Sequence, residues 1–309
     1  MSVMSLPSRM RASTVVAGLL FAGAGGSLAS DDRSSPYAAA SSLFEGGPDQ
    51  AWLNVFPIVG EGRKLPLHPG LPVGFYYLGS SADGRILYGV TPAERFGGLK
   101  EFQISPVHQS VVAGSEGLGN ITSLMLTSAP VRILVSAWLL KPGGPECGDF
   151  EIDPAAGALR PLRLGLSPDC GGPLSPDGKR ELHSWGEQLT ILDLSTGKST
   201  PIGQGMKSPS WSPDGRWIAV VEGKTGVLMD AADPSKKRRL TPADGPMIWS
   251  PDSKYLLLQR SQISCWASLY GVSLEAINIE TGKRTLIKSS HCNVLSDGFF
   301  FWIASEVVR

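Results

Sequence analysis

Along most of this chain, apolar positions come in short uninterrupted runs rather than at helical spacing. Trp217-Ile218-Ala219-Val220-Val221 and Tyr255-Leu256-Leu257-Leu258 are such runs, each bounded by turn-forming residues. Runs of four to eight apolar residues between turn signals predict strands buried on both faces. Directly before each run stands the same seed. It reads Leu174-Ser175-Pro176-Asp177-Gly178-Lys179, Trp211-Ser212-Pro213-Asp214-Gly215-Arg216 and Trp249-Ser250-Pro251-Asp252-Ser253-Lys254. Looser copies are Ser81-Ala82-Asp83-Gly84-Arg85 and Leu295-Ser296-Asp297-Gly298, with a degenerate one at Thr127-Ser128-Ala129-Pro130-Val131-Arg132. Pro presets φ at the first corner of a turn, Asp caps it, and Gly accepts the positive φ that closes a hairpin. The seed is therefore a turn signature, and its four carboxylates, Asp177, Asp214, Asp252 and Asp297, are explained by their turns.

The seed recurs with a period: Asp177, Asp214, Asp252 and Asp297 are 37, 38 and 45 residues apart. A second hairpin grammar follows each run. Leu189-Thr190-Ile191-Leu192-Asp193-Leu194 leads through Ser195-Thr196-Gly197-Lys198 into Ser199-Thr200-Pro201-Ile202, and Leu274 to Ile279 leads through Glu280-Thr281-Gly282-Lys283 into Arg284 to Ile287. Each unit then holds four strands, A to D, and a period near 40 predicts a propeller. The pattern resembles the PD40 repeats of the TolB-like propeller family over about residues 50–309. That resemblance implies the architecture; the family's amino-terminal α/β domain is not evident, and its partner contacts have no matching motif here.

The expected fold is all-β: a six-bladed β-propeller of four-stranded antiparallel blades. Five blades are placed at 70–117, 118–165, 166–203, 204–241 and 242–288. The sixth is expected to be composite, residues 52–67 supplying strands C and D and residues 292–308 supplying A and B, because pairing the chain ends removes two open edges.

Composition agrees with many short strands and tight turns: 37 Gly, 24 Pro and only 18% charged residues. Lys and Arg total 28, as do Asp and Glu. No net field draws such a chain to nucleic acid or anionic membrane. Arg9 and Arg11 precede an uncharged stretch, Ala12 to Gly26, and Ser27-Leu28-Ala29. Those features predict a signal peptide over 1–29 cleaved after Ala29, a flexible linker over 30–48, and a propeller over 49–309. The expected location is periplasmic or secreted, without stable membrane insertion after cleavage.

Cys147, Cys170, Cys265 and Cys292 allow three pairings. Their repeat positions favour Cys147–Cys170 and Cys265–Cys292, each stapling a B–C loop to the incoming A strand of the next blade. Paired CxxC spacing is missing, and His68, His108, His183 and His291 form no ligand motif, so no metal or cofactor is expected. Gly114-Ser115-Glu116-Gly117 lacks the spacing of a nucleophile elbow and reads as a loop. Lys236-Lys237-Arg238-Arg239 reads as a solvated C–D turn.

Loops on a rigid scaffold concentrate binding, and Arg260 to Val272 and Pro142 to Asp149 read as long B–C loops. The end of the propeller carrying the B–C and D–A connections, with His183, Trp185, Arg260, Trp266, Tyr270 and His291, is therefore the expected site for an envelope or extracellular protein, or a small ligand. The leading expectation is a non-catalytic binding scaffold. The alternative is a propeller hydrolase or lyase, with ionisable side chains gathered at the channel mouth.

Overall fold

A computed structural model describes residues 37–44, 51–57, 63–67, 76–91, 96–104, 108–127, 130–165, 170–243, 245–262, 271–289 and 300–304. The first strands are β1 (Tyr37–Phe44), β2 (Ala51–Pro57) and β3 (Arg63–Leu67). A first blade follows: β4 (Tyr76–Ser80), β5 (Ile86–Val90), β6 (Lys100–Gln103) and β7 (His108–Val111). The second holds β8 (Leu118–Leu126), β9 (Ile133–Lys141), β10 (Gly144–Asp153) and β11 (Ala158–Leu164). The third has β12 (Arg180–Trp185), β13 (Gln188–Asp193) and β14 (Ser199–Gln204). The fourth is β15 (Met206–Trp211), β16 (Trp217–Glu222), β17 (Thr225–Asp230) and β18 (Lys237–Pro242). Last come β19 (Met247–Trp249), β20 (Tyr255–Gln262), β21 (Gly271–Asn278), β22 (Arg284–Ser289) and the separate β23 (Phe300–Ala304).

These strands form antiparallel meanders of a β-propeller; every sheet but the closing one is ordered as the chain runs, and the five predicted blade bounds between 70 and 288 enclose those strands to within one or two residues. The count of six four-stranded blades is corrected. Among the described residues five sheets have four strands, and the third blade's has three, its inner position reduced to a single bridge, Leu174↔Glu181. Beside β12 the entering chain is held by Leu182 N–H to the Pro173 carbonyl, Ser175 N–H to the Arg180 carbonyl and that bridge, while Gly172 N–H goes to the Glu181 side chain instead of to the ladder.

Closure also differs from expectation. The closing sheet is ordered β23-β1-β2-β3, so the carboxy-terminal segment supplies one strand and the amino-terminal segment three. β1 lies where a flexible linker was expected, paired with β23 from Tyr37↔Ala304 to Ser41↔Phe300 and with β2 on its other side. Tyr37 and Trp302 explain the pairing. Both are buried with Tyr255, Leu257, Leu274 and Ala276 of the fifth blade, and the Tyr37 hydroxyl donates to the Ala82 carbonyl, 2.6 Å away in the first blade's turn. Residues 1–36 and the turn copy at Leu295 to Gly298 lie outside the described residues.

The seeds fold as one turn repeated. In each, the first residue's N–H donates to the carbonyl five positions on, and its side-chain oxygen accepts the N–H of that same residue: Ser81 with Ile86, Ser175 with Arg180, Ser212 with Trp217, Ser250 with Tyr255. The degenerate copy keeps the frame, with Thr127 bonded to Arg132 and the Pro130 carbonyl standing where Asp stands elsewhere. Gly178 and Gly215 take φ of 66° and 71°; in the fifth blade Ser253 takes 61° instead, and its hydroxyl accepts the Asp214 N–H at 3.0 Å.

Blades pack face to face, so a strand's alternate residues serve different neighbours. In β16, Ile218 and Val220 join an apolar cluster with the third blade, while Ala219 and Val221 join one with the fifth. Apolar clusters likewise join the first blade to the second and the fifth to the closing sheet. Among the described residues no helix is long and apolar enough to cross a membrane.

Candidate functional site

Between the second and third blades the contact is built differently. β9 turns Ile133, Val135 and Ala137 toward the first blade, leaving Ser136 to face the third. In register with it stand Ser123 on β8, Asp149 on β10 and, one strand further, Arg163 on β11. One residue from each strand thus makes a polar row across a buried face, and the third blade meets it with Glu181 and His183 of β12.

Asp149, Glu181 and Ser136 are fully buried. Arg163 bonds both carboxylates: its Nη2 lies 3.1 Å from Asp149 Oδ2 and pairs with Glu181 Oε2. Ser136 Oγ is 2.7 Å from Asp149 Oδ1 and 2.9 Å from the Gly172 carbonyl, which also accepts from Ser123 at 3.1 Å. The Gly172 N–H donates to Glu181 Oε1 at 2.5 Å, and His183 Nδ1 stands 3.3 Å from that oxygen. Two glycines are required here. A Cβ on Gly171 would lie 2.5 Å from Asp149 Oδ1, and one on Gly172 would overlap the Leu182 carbonyl. Burial first, and then the charge of Glu181, push the Asp149 carboxyl up to about 6, against the opposing pull of Ser136 and Arg163.

The predicted bond Cys147–Cys170 is present beside this row, with a Cα–Cα distance of 5.3 Å. It does not staple a loop. Pro142 and Gly143 make a tight hairpin with Gly143 at φ 98°, so Cys147 lies inside β10. The bond joins that strand to the residue before Gly171. Cys265 and Cys292 lie outside the described residues.

A second feature opens at the end of the propeller that carries the seed turns. There a cleft of about 320 Å³ is lined by Thr127 of the second blade, Pro176, Asp177 and Arg180 of the third, and Pro213, Asp214 and Gly215 of the fourth. Its walls are held. Asp177 Oδ1 accepts from Ser175 at 2.5 Å and from the Lys179 N–H at 3.1 Å, contacts that hold its carboxyl below the ordinary range despite burial. Arg180 lies 4.8 Å over the Trp211 ring and donates to the Ala231 carbonyl.

Of the expected binding residues, the structure places one in a cluster: His183, beside Glu181. Trp185 ends β12 and Arg260 lies in β20 opposite Ser273, their side chains outside the described set, as are Trp266, Tyr270 and His291 altogether. The expectation of long B–C loops is corrected at Pro142 to Asp149, which is a two-residue turn followed by strand, and narrowed at Arg260 to Val272, where β20 and β21 extend to Gln262 and from Gly271.

Ser115 is a structural residue, fully buried, its hydroxyl donating to the Val112 carbonyl at 2.7 Å. The basic run is solvent-exposed, as expected, but lies mostly in β18 rather than in a turn. Lys237 reaches the Ile202 carbonyl of the third blade and Arg238 the Ile279 carbonyl beside the fifth, because alternate strand residues face opposite neighbours. Among the described residues no three His, Cys, Asp or Glu side chains gather as metal ligands.

Sequence reasoning missed Ser136, Asp149, Arg163 and Glu181. The local signal was slight: Ser136 interrupts the apolar run Ile133-Leu134-Val135-Ser136-Ala137.

Neither protein-family models nor curated protein sequences match the chain. Solved structures do. TolB from Acinetobacter baumannii is similar with a TM-score of 0.60 at 17% identity, over 88% of this chain and 67% of that one. A putative TolB from Agrobacterium tumefaciens gives 0.49 at 15%, over 87% and 99%. An oligogalacturonate lyase in complex with manganese gives 0.48 at 12%, over 82% and 78%. Likeness at this identity is likeness of fold, and with the meandering sheets and repeated turns above it makes this chain a β-propeller similar to TolB.

Proposed function

We propose that this chain is an exported, non-catalytic propeller scaffold that binds a protein segment or small ligand at one end of its blades, in the periplasm or outside the cell. The observation that carries the reading is the cleft between three seed turns. It is concave and bounded by side chains already fixed by hydrogen bonds, so a ligand there orders little on binding. Export draws support from the signal-like segment over 1–29 and from the Cys147–Cys170 bond, since disulfides persist in oxidising compartments. A hydrolase or lyase needs ionisable groups where substrate can reach them. Among the described residues, the convergent set Asp149, Glu181, Arg163 and His183 has both carboxylates fully buried between blades, which favours the scaffold reading.

The cleft is lined by seed turns, which join strands A and B, whereas Trp185 ends β12 and Arg260 lies toward the end of β20, on the side of the B–C connections, so the cleft is separable from the loop end that the sequence suggests for Trp266, Tyr270 and His291. Photo-crosslinkers placed at Asp177 or Asp214, and separately at Trp266, would be exposed to envelope extract. Adducts from the aspartate positions are expected. Adducts from Trp266 alone would move the partner to the loop end, and none from any position would overturn the scaffold reading.

A further inference from the structure

Apolar clusters join four pairs of neighbouring sheets, and a charged row joins the second blade to the third. The arithmetic of that row is uneven. The groups facing Asp149 are Arg163 from β11 and Glu181, with His183 beyond it, from β12. β8 and β9 contribute the hydroxyls of Ser123 and Ser136, and the segment around Gly171 and Gly172 contributes backbone. Two buried carboxylates meet one guanidinium, and a buried charge left over is costly unless a proton removes it.

We propose that the seam between the second and third blades is a proton-operated lock, in which Asp149 and Glu181 share Arg163 and the seam holds most firmly when the pair carries one proton. A proton between two such carboxylates turns repulsion into a charge-balanced set with the guanidinium and lets one oxygen become a donor. The raised Asp149 carboxyl agrees with this geometry. The sign follows. A carboxyl with an ordinary value of 3.8 that rises to about 6 on folding adds stability when protonated, in full below about 4 and less as pH climbs toward 6. The carboxyls held low by their turns, such as Asp193 at about 2, act in the opposite direction but at lower pH. Between about pH 5 and 7.5 the seam therefore contributes a stability term that falls as pH rises. The lock reaches the cleft, because Thr127 belongs to one of the two locked blades and Asp177 to the other.

The test uses the full chain with its disulfide intact and follows thermal unfolding across that pH window. Wild type is expected to gain about 3–6 °C from pH 7.5 to 5. Asp149→Asn, which imitates the protonated group, should melt above wild type at pH 7.5 and show no further gain on acidification. His183→Gln should keep the wild-type gain. If Asp149→Asn does not fold, Glu181→Gln carries the same expectation, since it leaves Asp149 alone with Arg163. A flat wild-type profile, amide variants less stable than wild type at pH 7.5, or loss of the gain in His183→Gln would overturn the lock. The last result would put the proton on the imidazole.

Discussion

Three tryptophans at equivalent positions in the repeat have unequal surroundings. Trp211 ends the inner strand of the fourth blade, and its Nε1 donates to the Pro173 carbonyl of the blade before, at 3.0 Å; Trp302 does the same to Ile248. Trp249 stands at the same place in the fifth blade, buried, yet its Nε1 has no partner. β15, which carries Ser210, the repeat equivalent of Pro173 and Ile248, has a bulge between Lys207 and Ser210, with Ser208 at φ 50°. Replacing tryptophan by phenylalanine should therefore discriminate. Trp211→Phe loses a hydrogen bond to a carbonyl that keeps the Leu182 N–H as a donor, costing about 0.5–1.5 kcal/mol beyond the loss of ring volume, whereas Trp249→Phe loses volume but also relieves an unsatisfied donor. Denaturant midpoints should fall further for Trp211→Phe. Equal losses would mean that the indole bond contributes nothing.

At the scale of an element, the segment entering the third blade has no freedom in its glycines. A methyl on Gly172 meets the Leu182 carbonyl, whereas one on Gly197, in the C–D turn, meets open space and has only its φ of 70° to oppose it. Gly172→Ala should destabilise by about 2–3 kcal/mol as overpacking at a backbone contact, and Gly197→Ala by about 1–2 kcal/mol as left-handed strain. Urea unfolding of both would check the order, and a smaller loss at Gly172 would show that the segment can move away from β12.

The same segment marks how far the sequence could be read. Turns were legible because each is written in consecutive residues: even the degenerate Thr127 copy keeps its frame. A second repeated device was equally local and overlooked. The last residue of strand C, as Asp153, Asp193, Asp230 and Asn278, caps the C–D turn by accepting two backbone N–H groups. The polar row was not legible, because Ser123, Ser136, Asp149 and Arg163 become neighbours only through strand register. β1 was hidden by composition, since Ala and Ser carry little strand preference and its inner partner, β23, is distant in sequence. Of the binding residues read from the sequence, His183 entered a cluster, and that cluster is a blade contact rather than an open surface.

For the whole molecule, β1 is the joint on which closure depends. Its residues pair with β23 on one side and β2 on the other, and Tyr37 fills the cluster containing Trp302. Replacing residues 37–44 by a Gly and Ser stretch of equal length should uncover Trp302 and leave two unpaired edges. Size-exclusion chromatography should then show aggregated protein in place of a monomer peak. A variant that stays monomeric with an unchanged melting temperature would show that the ring holds without this strand.

The pairing of Tyr37 with Ala304 spans nearly the whole described sequence, whereas nearly all other strand pairs join neighbours along the chain. Local hairpins form in microseconds, but a contact of such separation must wait until intervening blades have shortened the loop it closes. Folding of this propeller accordingly has a natural last step. Until it occurs, Trp302 and the edges of β1 and β23 remain open to other chains, so the interval before closure, rather than the stability of the finished ring, sets the yield of native protein at high concentration.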